Sequence, residues 1–271
     1  MTEQVMLAIG DSAGPPAKNP GAAAVAALAT NLMYRDPNAI ALFLGDNAYN
    51  RGTQEEYDQY FVPRYGGDPF KDRSRACPGN HDYLTFGAAP YFRVFGEEAA
   101  GTPSRSYYSF DVGGWHVVSL NSEVEQDNDS AQLRWLREDL TKTSGPILAF
   151  WHRARWGSGG HWDSKKPRWF WKELSAHRAE IVLSGHSHHY ERFDRQTPKQ
   201  KPDDQGIRQF IVGSGGRKLK GRTKHTPNSV HSDFESHGLL KLSLRPSSYS
   251  WEYIAANSVV LDRGDSPTNH T

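Results

Sequence analysis

The chain has 271 residues, with 32 Lys and Arg against 31 Asp and Glu and hence a formal charge of +1. This balance argues against a broad basic surface for nucleic acid, and no apolar run approaches the ~18 residues of a membrane-spanning helix. Twelve His stand against a single Cys, Cys77. One cysteine excludes a disulfide within the chain and a zinc site built from cysteines. Any metal would therefore be bound by nitrogen and oxygen.

Short apolar runs recur along the chain, and each ends in glycine or polar residues. Runs of this length with such ends are typical of buried strands. We predict strands at residues 5–9, 39–44, 75–77, 146–151 and 181–183.

Helical patterns lie between these strands. The first covers the Ala-rich residues 20–34, the second follows a cap at Asp129 or Ser130, and the third follows a cap at Asp163 or Ser164. Alternation of strands and helices predicts an α/β fold with at least one largely parallel sheet.

Antiparallel hairpins are indicated later in the chain. Residues 107–112 and 115–120 flank two glycines, and residues 237–244 and 249–254 flank a short turn. With no linker or repeat in view, we expect residues 1–271 to form a single domain built on two sheets.

The ends of the predicted strands carry metal-binding side chains. In α/β folds, ligands sit beyond the carboxyl ends of strands. The residues found there are Asp11, Asp46 with Tyr49, the run Asn80-His81-Asp82, His152, and His186 with His188. Taken singly, each also fits a turn, a helix cap or a buried imidazole. Together they predict a site for Fe, Zn or Mn, which accept such ligands.

This ordered set resembles the calcineurin-like metallophosphoesterases, and within them the purple acid phosphatases, including bacterial members. That branch has Tyr in the second motif, here Tyr49, and lacks a His two residues after the first Asp. Ala13 occupies that place, where the branch more often has Gly. The resemblance implies a metallophosphoesterase-like β-sandwich of two mixed sheets flanked by helices, in four layers.

The resemblance also implies a dinuclear metal centre. Its first metal, expected to be Fe(III), would be held by Asp11, Asp46, Tyr49 and His188. Its second, Fe(II), Zn or Mn, would be held by Asp46, Asn80, His152 and His186. His81 would contact the substrate, and Asp82 would orient His81. His161 matches a further active-site His of the branch, but it also fits an ordinary surface loop.

The implied reaction is hydrolysis of a small phosphate ester, first of all a phosphomonoester, by a metal-bound hydroxide. A phosphodiesterase or nucleotide phosphohydrolase would use the same metals, and a non-catalytic metal-binding scaffold is a further alternative. Neither nucleic acid nor a membrane is expected as an obligate partner. The given sequence starts without a leader-like segment. We therefore expect a cytoplasmic protein, or a secreted or periplasmic one whose leader was removed.

Several residues bear on the rim of this site. Trp156 and Trp162 lie in a Gly/Ser-rich loop and fit either a cleft wall or packing. Arg153 fits either a phosphate contact or solvent exposure. We expect the glycines of residues 213–216 to form a tight turn near the metals, and the basic residues 217–224 to form a solvated loop.

Overall fold

The computed structural model describes residues 3–160 and 164–270. The first of its two sheets has six strands in the order β13-β12-β11-β1-β2-β3. Three of them are parallel neighbours: β1 (Gln4–Ile9), β2 (Ile40–Leu44) and β3 (Ser74–Cys77). The other three are joined antiparallel: β11 (Gly238–Arg245), β12 (Ser248–Ala255) and β13 (Val260–Pro267).

The second sheet has seven strands in the order β10-β8-β9-β7-β6-β5-β4. Its parallel centre consists of β5 (Trp115–Ser119), β6 (Ile147–Arg153), β7 (Ile181–Gly185) and β9 (Arg208–Val212). Antiparallel strands complete it: β4 (Tyr108–Val112), β8 (Tyr190–Phe193) and β10 (Ser229–Asp233). Both sheets are thus mixed.

Helices cover the outer faces of the two sheets. They are α1 (Ala22–Arg35), α2 (Gln54–Glu56), α3 (Val62–Tyr65), α4 (Ala89–Ala100), α5 (Ala131–Leu140) and α6 (Arg168–Ala176). A π-helical turn, Tyr57–Phe61, joins α2 to α3, and short 3-10 turns, Asp82–Leu84 and Phe86–Ala88, precede α4. No helix in the described part of the chain has the length and apolar character to cross a bilayer.

Alternation along β1 shows how the layers are held together. Met6 and Ala8 point into the core between the two sheets, whereas Leu7 and Ile9 point into the outer core beneath α1. Successive side chains of a strand face opposite sides, so a strand covered on both faces must be apolar throughout. A third core packs α5 and α6 on the second sheet. The predicted four-layer arrangement is confirmed.

Two sequence expectations about elements need correction. The third helix begins at Arg168, after Pro167, and not directly after Asp163 or Ser164. Proline disfavours a helical backbone in the residue before it, which delays the helix start. Strands β8, β10 and β13 were not predicted from the sequence, and β13 is a largely polar edge strand with only intermittent burial.

Candidate metal centre

The carboxyl ends of β1, β2, β6 and β7 meet at one rim between the sheets. The backbone N–H of Gly10, just after β1, donates to the carbonyl of Val212 at the end of β9 (3.0 Å). Asp11 N–H donates to the carbonyl of Gly45, just after β2 (3.1 Å). Parallel strands end at the same edge, so residues far apart in the chain are brought together there.

Three of the predicted ligand residues lie on an unusual backbone. Asp11, Asp46 and His186 have φ of 59°, 51° and 68°, the left-handed region that side chains other than glycine rarely adopt. A Cβ on Gly185, just before His186, would lie 2.8 Å from Asp11 Oδ2. Glycine before this turn thus lets the strand end approach the Asp11 carboxylate closely. Strained backbone of this kind clusters at functional sites.

The first group of side chains surrounds the Tyr49 hydroxyl. That hydroxyl donates to Asp11 Oδ1 at 2.6 Å and lies 3.0 Å from Asp46 Oδ2. His188 Nε2 lies 3.4 Å from both the Tyr49 hydroxyl and Asp11 Oδ1. The other ring nitrogen of His188 faces the carbonyl of Lys218 at 3.2 Å, which orients the imidazole. The other three residues predicted for the first metal therefore all approach the Tyr49 hydroxyl.

The second group shares Asp46 with the first. His152 Nε2 lies 3.3 Å from Asp46 Oδ2 and 3.2 Å from His186 Nδ1. Ligand atoms of these three residues all fall within 4.8 Å of one another, as a common metal requires. His152 Nδ1 faces the Leu44 carbonyl at 2.8 Å. A nitrogen held by a backbone carbonyl leaves the opposite nitrogen for a metal.

The loop after β3 wraps around the Asp46 carboxylate. The backbone N–H of His81 donates to Asp46 Oδ1 at 2.8 Å. In the same loop the side-chain oxygen Asn80 Oδ1 is buried, and no hydrogen-bond partner for it exists among the described residues. Buried carbonyl oxygens are normally satisfied. A hard or borderline cation beside these oxygen and nitrogen donors would satisfy it, so the residues fit the predicted metals.

Electrostatics of the cluster also suit a cation. Burial would raise the pKa of Asp46, but His152 holds it well below its usual range. Burial would lower the pKa of His152, but Asp46 raises it to about 10. Burial, followed by the charges of Asp11 and Asp46, raises the pKa of Tyr49 well above its ordinary value. The phenol therefore stays protonated among these groups, and a phenolate at Tyr49 needs added positive charge.

Comparison with known proteins decides the family. A family model described as calcineurin-like phosphoesterase matches residues 7–190, more than half of the chain. The chain belongs to the calcineurin-like phosphoesterase family.

Relatives and solved structures place this phosphoesterase beside the purple acid phosphatases. Purple acid phosphatase 23 of Arabidopsis thaliana is 31% identical over 174 residues, 58% of this chain and 37% of that protein. Purple acid phosphatase 18 of the same plant is 31% identical over 205 residues, 66% of this chain and 44% of that protein. This chain thus spans less than half the length of these relatives.

The fold agrees with that placement. The structure of purple acid phosphatase PPD1 from yellow lupin (Lupinus luteus) seeds superposes with a TM-score of 0.85 at 18% identity, covering 97% of this chain and 53% of that one. At this identity the match shows the fold alone.

His81 lies at the open side of the phosphoesterase centre. Its side chain is 28% exposed, and Nε2 lies 3.9 Å from Asp46 Oδ2. The opposite nitrogen, Nδ1, faces the carbonyl of Asn50. The predicted site residue His161 lies outside the described residues.

Asp82 differs from its predicted role. We expected its carboxylate to orient His81, but its hydrogen bonds in the described part of the chain go elsewhere. Asp82 accepts from Gly79 N–H at 2.8 Å and from the Tyr57 hydroxyl at 2.7 Å, besides Asn47. Burial, followed by the charge of Asp46, raises the pKa of Asp82 to about 6. Asp82 thus fastens the loop after β3, and the Asn50 carbonyl orients His81.

The rim also departs from expectation. Trp156 is buried and packs edge-on against Trp171 with ring centroids 4.4 Å apart, so it does not wall the cleft. Trp162 lies outside the described residues. Arg153 is not a solvated arginine: it is held by Glu123 at 2.9 Å, with Nη1 3.0 Å from His186 Nε2. No signal beyond its place after His152 indicated that contact.

Of the glycines in residues 213–216, which were predicted to form a turn near the metals, Gly213 lies next to the predicted ligand residue Asp11. A Cβ on Gly213 would come 3.0 Å from Asp11 Oδ2. Arg217, which follows them, was expected in a solvated loop. Its guanidinium carbon instead lies 4.3 Å from the centre of the Tyr49 ring. The local sequence did not predict this contact, because Tyr49 lies far from Arg217 in the chain.

Proposed function

We propose that this chain is a metal-dependent hydrolase of phosphate esters, with phosphomonoesters as its preferred substrates and two metal ions in its centre. The observation that carries the proposal is the buried cluster of two carboxylates, one phenol and three imidazoles around Asp46. Membership of the phosphoesterase family and purple acid phosphatases among its relatives support the same reading.

Asp46 contacts both groups of side chains and would bridge the two ions. Asp11, Tyr49 and His188 would complete the first position, and Asn80, His152 and His186 the second. A trivalent ion suits the first position because the phenol there needs strong positive charge to ionise. We propose Fe(III) at that position and Fe(II), Zn or Mn at the second. When bound, two such ions acidify a water molecule and screen the charge of a phosphate ester.

The protein's own groups supply contacts at the open side. His81 is held by the Asn50 carbonyl and keeps Nε2 toward the cleft beside Asp46. From there the imidazole would bind a phosphoryl oxygen or pass a proton to the leaving oxygen. Arg153, fixed by Glu123, adds a second hydrogen-bond donor next to His186.

The test begins with protein reconstituted with iron and zinc. We expect about two metals per chain, a visible tyrosinate–Fe(III) band, and faster hydrolysis of p-nitrophenyl phosphate than of bis(p-nitrophenyl) phosphate. Asp46→Asn should lower metal content and activity together, whereas Asp265→Asn, a change at an exposed carboxylate on β13, should lower neither.

Each contrary result overturns a stated part of the proposal. Faster diester hydrolysis would make the chain a phosphodiesterase. Two metals without turnover of either ester would make it a binding scaffold. A colourless, iron-free and fully active enzyme would remove Fe(III) from the first position.

A further inference from the structure

Two large apolar side chains are exposed on the loop that carries His81. Leu84 is 50% exposed and Phe86 is 96% exposed, the highest value of any large hydrophobic residue in the described part of the chain. They lie in the two 3-10 turns after β3, Asp82–Leu84 and Phe86–Ala88. Exposed apolar residues scattered singly are ordinary, but two of them within three residues form a local apolar surface. We call Leu84 and Phe86 the apolar patch.

The first of these turns places Leu84 on the same side of the loop as His81. The Leu84 N–H donates to the His81 carbonyl at 3.2 Å, which is the i→i+3 bond of a 3-10 turn. His81 itself has helical backbone angles, φ −71° and ψ −33°. Side chains three residues apart eclipse one another in this geometry. Leu84 therefore stands beside the His81 imidazole, which lies at the open side of the metal centre.

Hydrogen bonds hold the loop of the apolar patch in place. Thr85, which lies between the two patch residues, donates from Oγ1 to the Arg51 carbonyl at 2.8 Å. The carbonyl of Asn50, one residue earlier, faces His81 Nδ1. The same segment thus fixes both the imidazole and the residue next to Leu84. The exposure of the patch is therefore a feature of an anchored loop and not of a frayed end.

We propose that the apolar patch is a subsite for the alcohol part of the substrate, so that the protein prefers phosphate esters whose alcohol carries an apolar or aromatic group. The inference rests on the proposed function. There His81 contacts the phosphoryl group or the leaving oxygen, so the first carbon atoms of the alcohol must lie near His81 as well. Leu84 is the neighbouring side chain on that face, and Phe86 follows two residues later.

The size of the expected preference follows from burial of apolar surface. Full burial of one CH₂ group is worth about a fourfold gain in binding. A patch open to solvent covers only one side of a bound group, so each carbon gains less than this. For a phenyl ring that lies on Leu84 and Phe86, we therefore expect a total gain of about tenfold.

The experiment compares ethyl phosphate with 2-phenylethyl phosphate as substrates of the protein loaded with iron and zinc. Both are esters of primary alcohols, so their leaving oxygens are similarly reactive and the esters differ mainly in apolar area. We expect kcat/KM to be about tenfold higher for the phenylethyl ester. The preference should persist as salt is raised, because no pair of exposed charges produces it.

Variants assign the preference to the apolar patch. L84S/F86S should lower the ratio of the two kcat/KM values from about ten to about two, with unchanged metal content. L84M/F86L keeps an apolar surface and should retain most of the ratio. The matched control V259S/V260S replaces two exposed valines at the opposite edge of the first sheet and should retain the full ratio.

The contrary results are distinct. The inference is wrong, and the proposed function stands, if the two esters have equal kcat/KM or if L84S/F86S keeps the preference. The inference is equally wrong if V259S/V260S loses the preference as fully, or if metal content falls in L84S/F86S in parallel with the ratio. If the metal-loaded protein hydrolyses neither these esters nor p-nitrophenyl phosphate, the proposed function itself fails.

Discussion

Two buried imidazoles in different regions, His152 and His116, show what separates a metal-ligand arrangement from a structural one. Each has carboxylates nearby. His116 is bound on both sides, with Nδ1 2.7 Å from Asp111 Oδ1 and Nε2 2.9 Å from Asp139 Oδ2. His152 has one nitrogen on a backbone carbonyl and the other among Asp46 and His186.

The two histidines differ in whether the polar atoms around each imidazole already have hydrogen-bond partners. At His116 two carboxylates and one imidazole form a closed group that needs no further ligand. At His152 the ring nitrogen Nε2 faces two other potential metal ligands at once, Asp46 Oδ2 at 3.3 Å and His186 Nδ1 at 3.2 Å. A histidine whose two ring nitrogens each bind a separate carboxylate is arranged as a structural residue. A histidine with one nitrogen on a backbone carbonyl and the other facing several potential ligands is arranged to bind a metal.

The largest effect should come from removing the convergent imidazole. We expect His152→Ala to lower metal affinity by more than about 100-fold, beyond what a change outside the ligand shell costs. Activity at limiting metal should fall in parallel. Metal titration checks this, with His116→Ala as the matched change in the other region. Equal metal loss in His152→Ala and His116→Ala would contradict the distinction between a metal-ligand histidine and a structural one.

Next in size is the effect of His81→Ala, which separates binding of metal from turnover. The backbone N–H that donates to Asp46 is retained by alanine, so metal content should be unchanged. Turnover should fall about 10²- to 10³-fold, as on loss of one donor to the reacting group. Metal analysis beside steady-state kinetics checks this prediction. Parallel loss of metal would show that His81 belongs to the ligand set.

The close packing of Gly79 against the Asp46 carboxylate gives a third prediction. A Cβ on Gly79 would lie 2.3 Å from Asp46 Oδ1, whereas one on Gly67 would meet nothing within 4 Å. Gly79→Ala should therefore displace Asp46 and cut activity about 10²-fold, the size of effect expected from a shift of about 1 Å. Gly67→Ala is the control and should be neutral. Full activity in Gly79→Ala would show that Asp46 tolerates displacement.

The smallest predicted effect is a loss of stability on replacement of His116, which is bound by Asp111 and Asp139. Burial would lower the pKa of His116, but its bonds to Asp139 and Asp111 raise it above the ordinary 6.5. A raised pKa stabilises the fold below pH 6.5, and the contribution is lost as pH rises through the shifted value. We expect His116→Gln to cost about 1–3 kcal/mol at pH 6, because the buried Asp139 carboxylate loses its charged imidazole partner.

The pH profile of that cost is the decisive measurement. Denaturant unfolding of both proteins should show the difference shrinking above neutral pH, while the rate of p-nitrophenyl phosphate hydrolysis stays unchanged. His177→Gln, at the half-buried end of α6, serves as control and should show little change. If the loss of unfolding free energy in His116→Gln grew with pH, the raised pKa of His116 would be contradicted.

Short-range pattern determined much of this protein. The apolar runs placed most parallel strands, and a polar residue just after such a strand must lie at the shared carboxyl edge. The positions of Asp11, Asp46, His152 and His186 therefore followed from spacing and strand parallelism. Tyr49 and Asn80 also lay near such strand ends, and the family resemblance assigned each residue to one of the two metals. The roles of all these residues as ligands stay predictions.

Tertiary structure decided the contacts between loops. It buried Trp156 against Trp171, turned Asp82 toward Tyr57, and placed Arg217 on the Tyr49 ring. None of these partners has a spacing or period that the sequence displays. Local periodicity indicates where a strand ends. Which loop side chains meet beyond those strand ends depends on how the two sheets pack against each other.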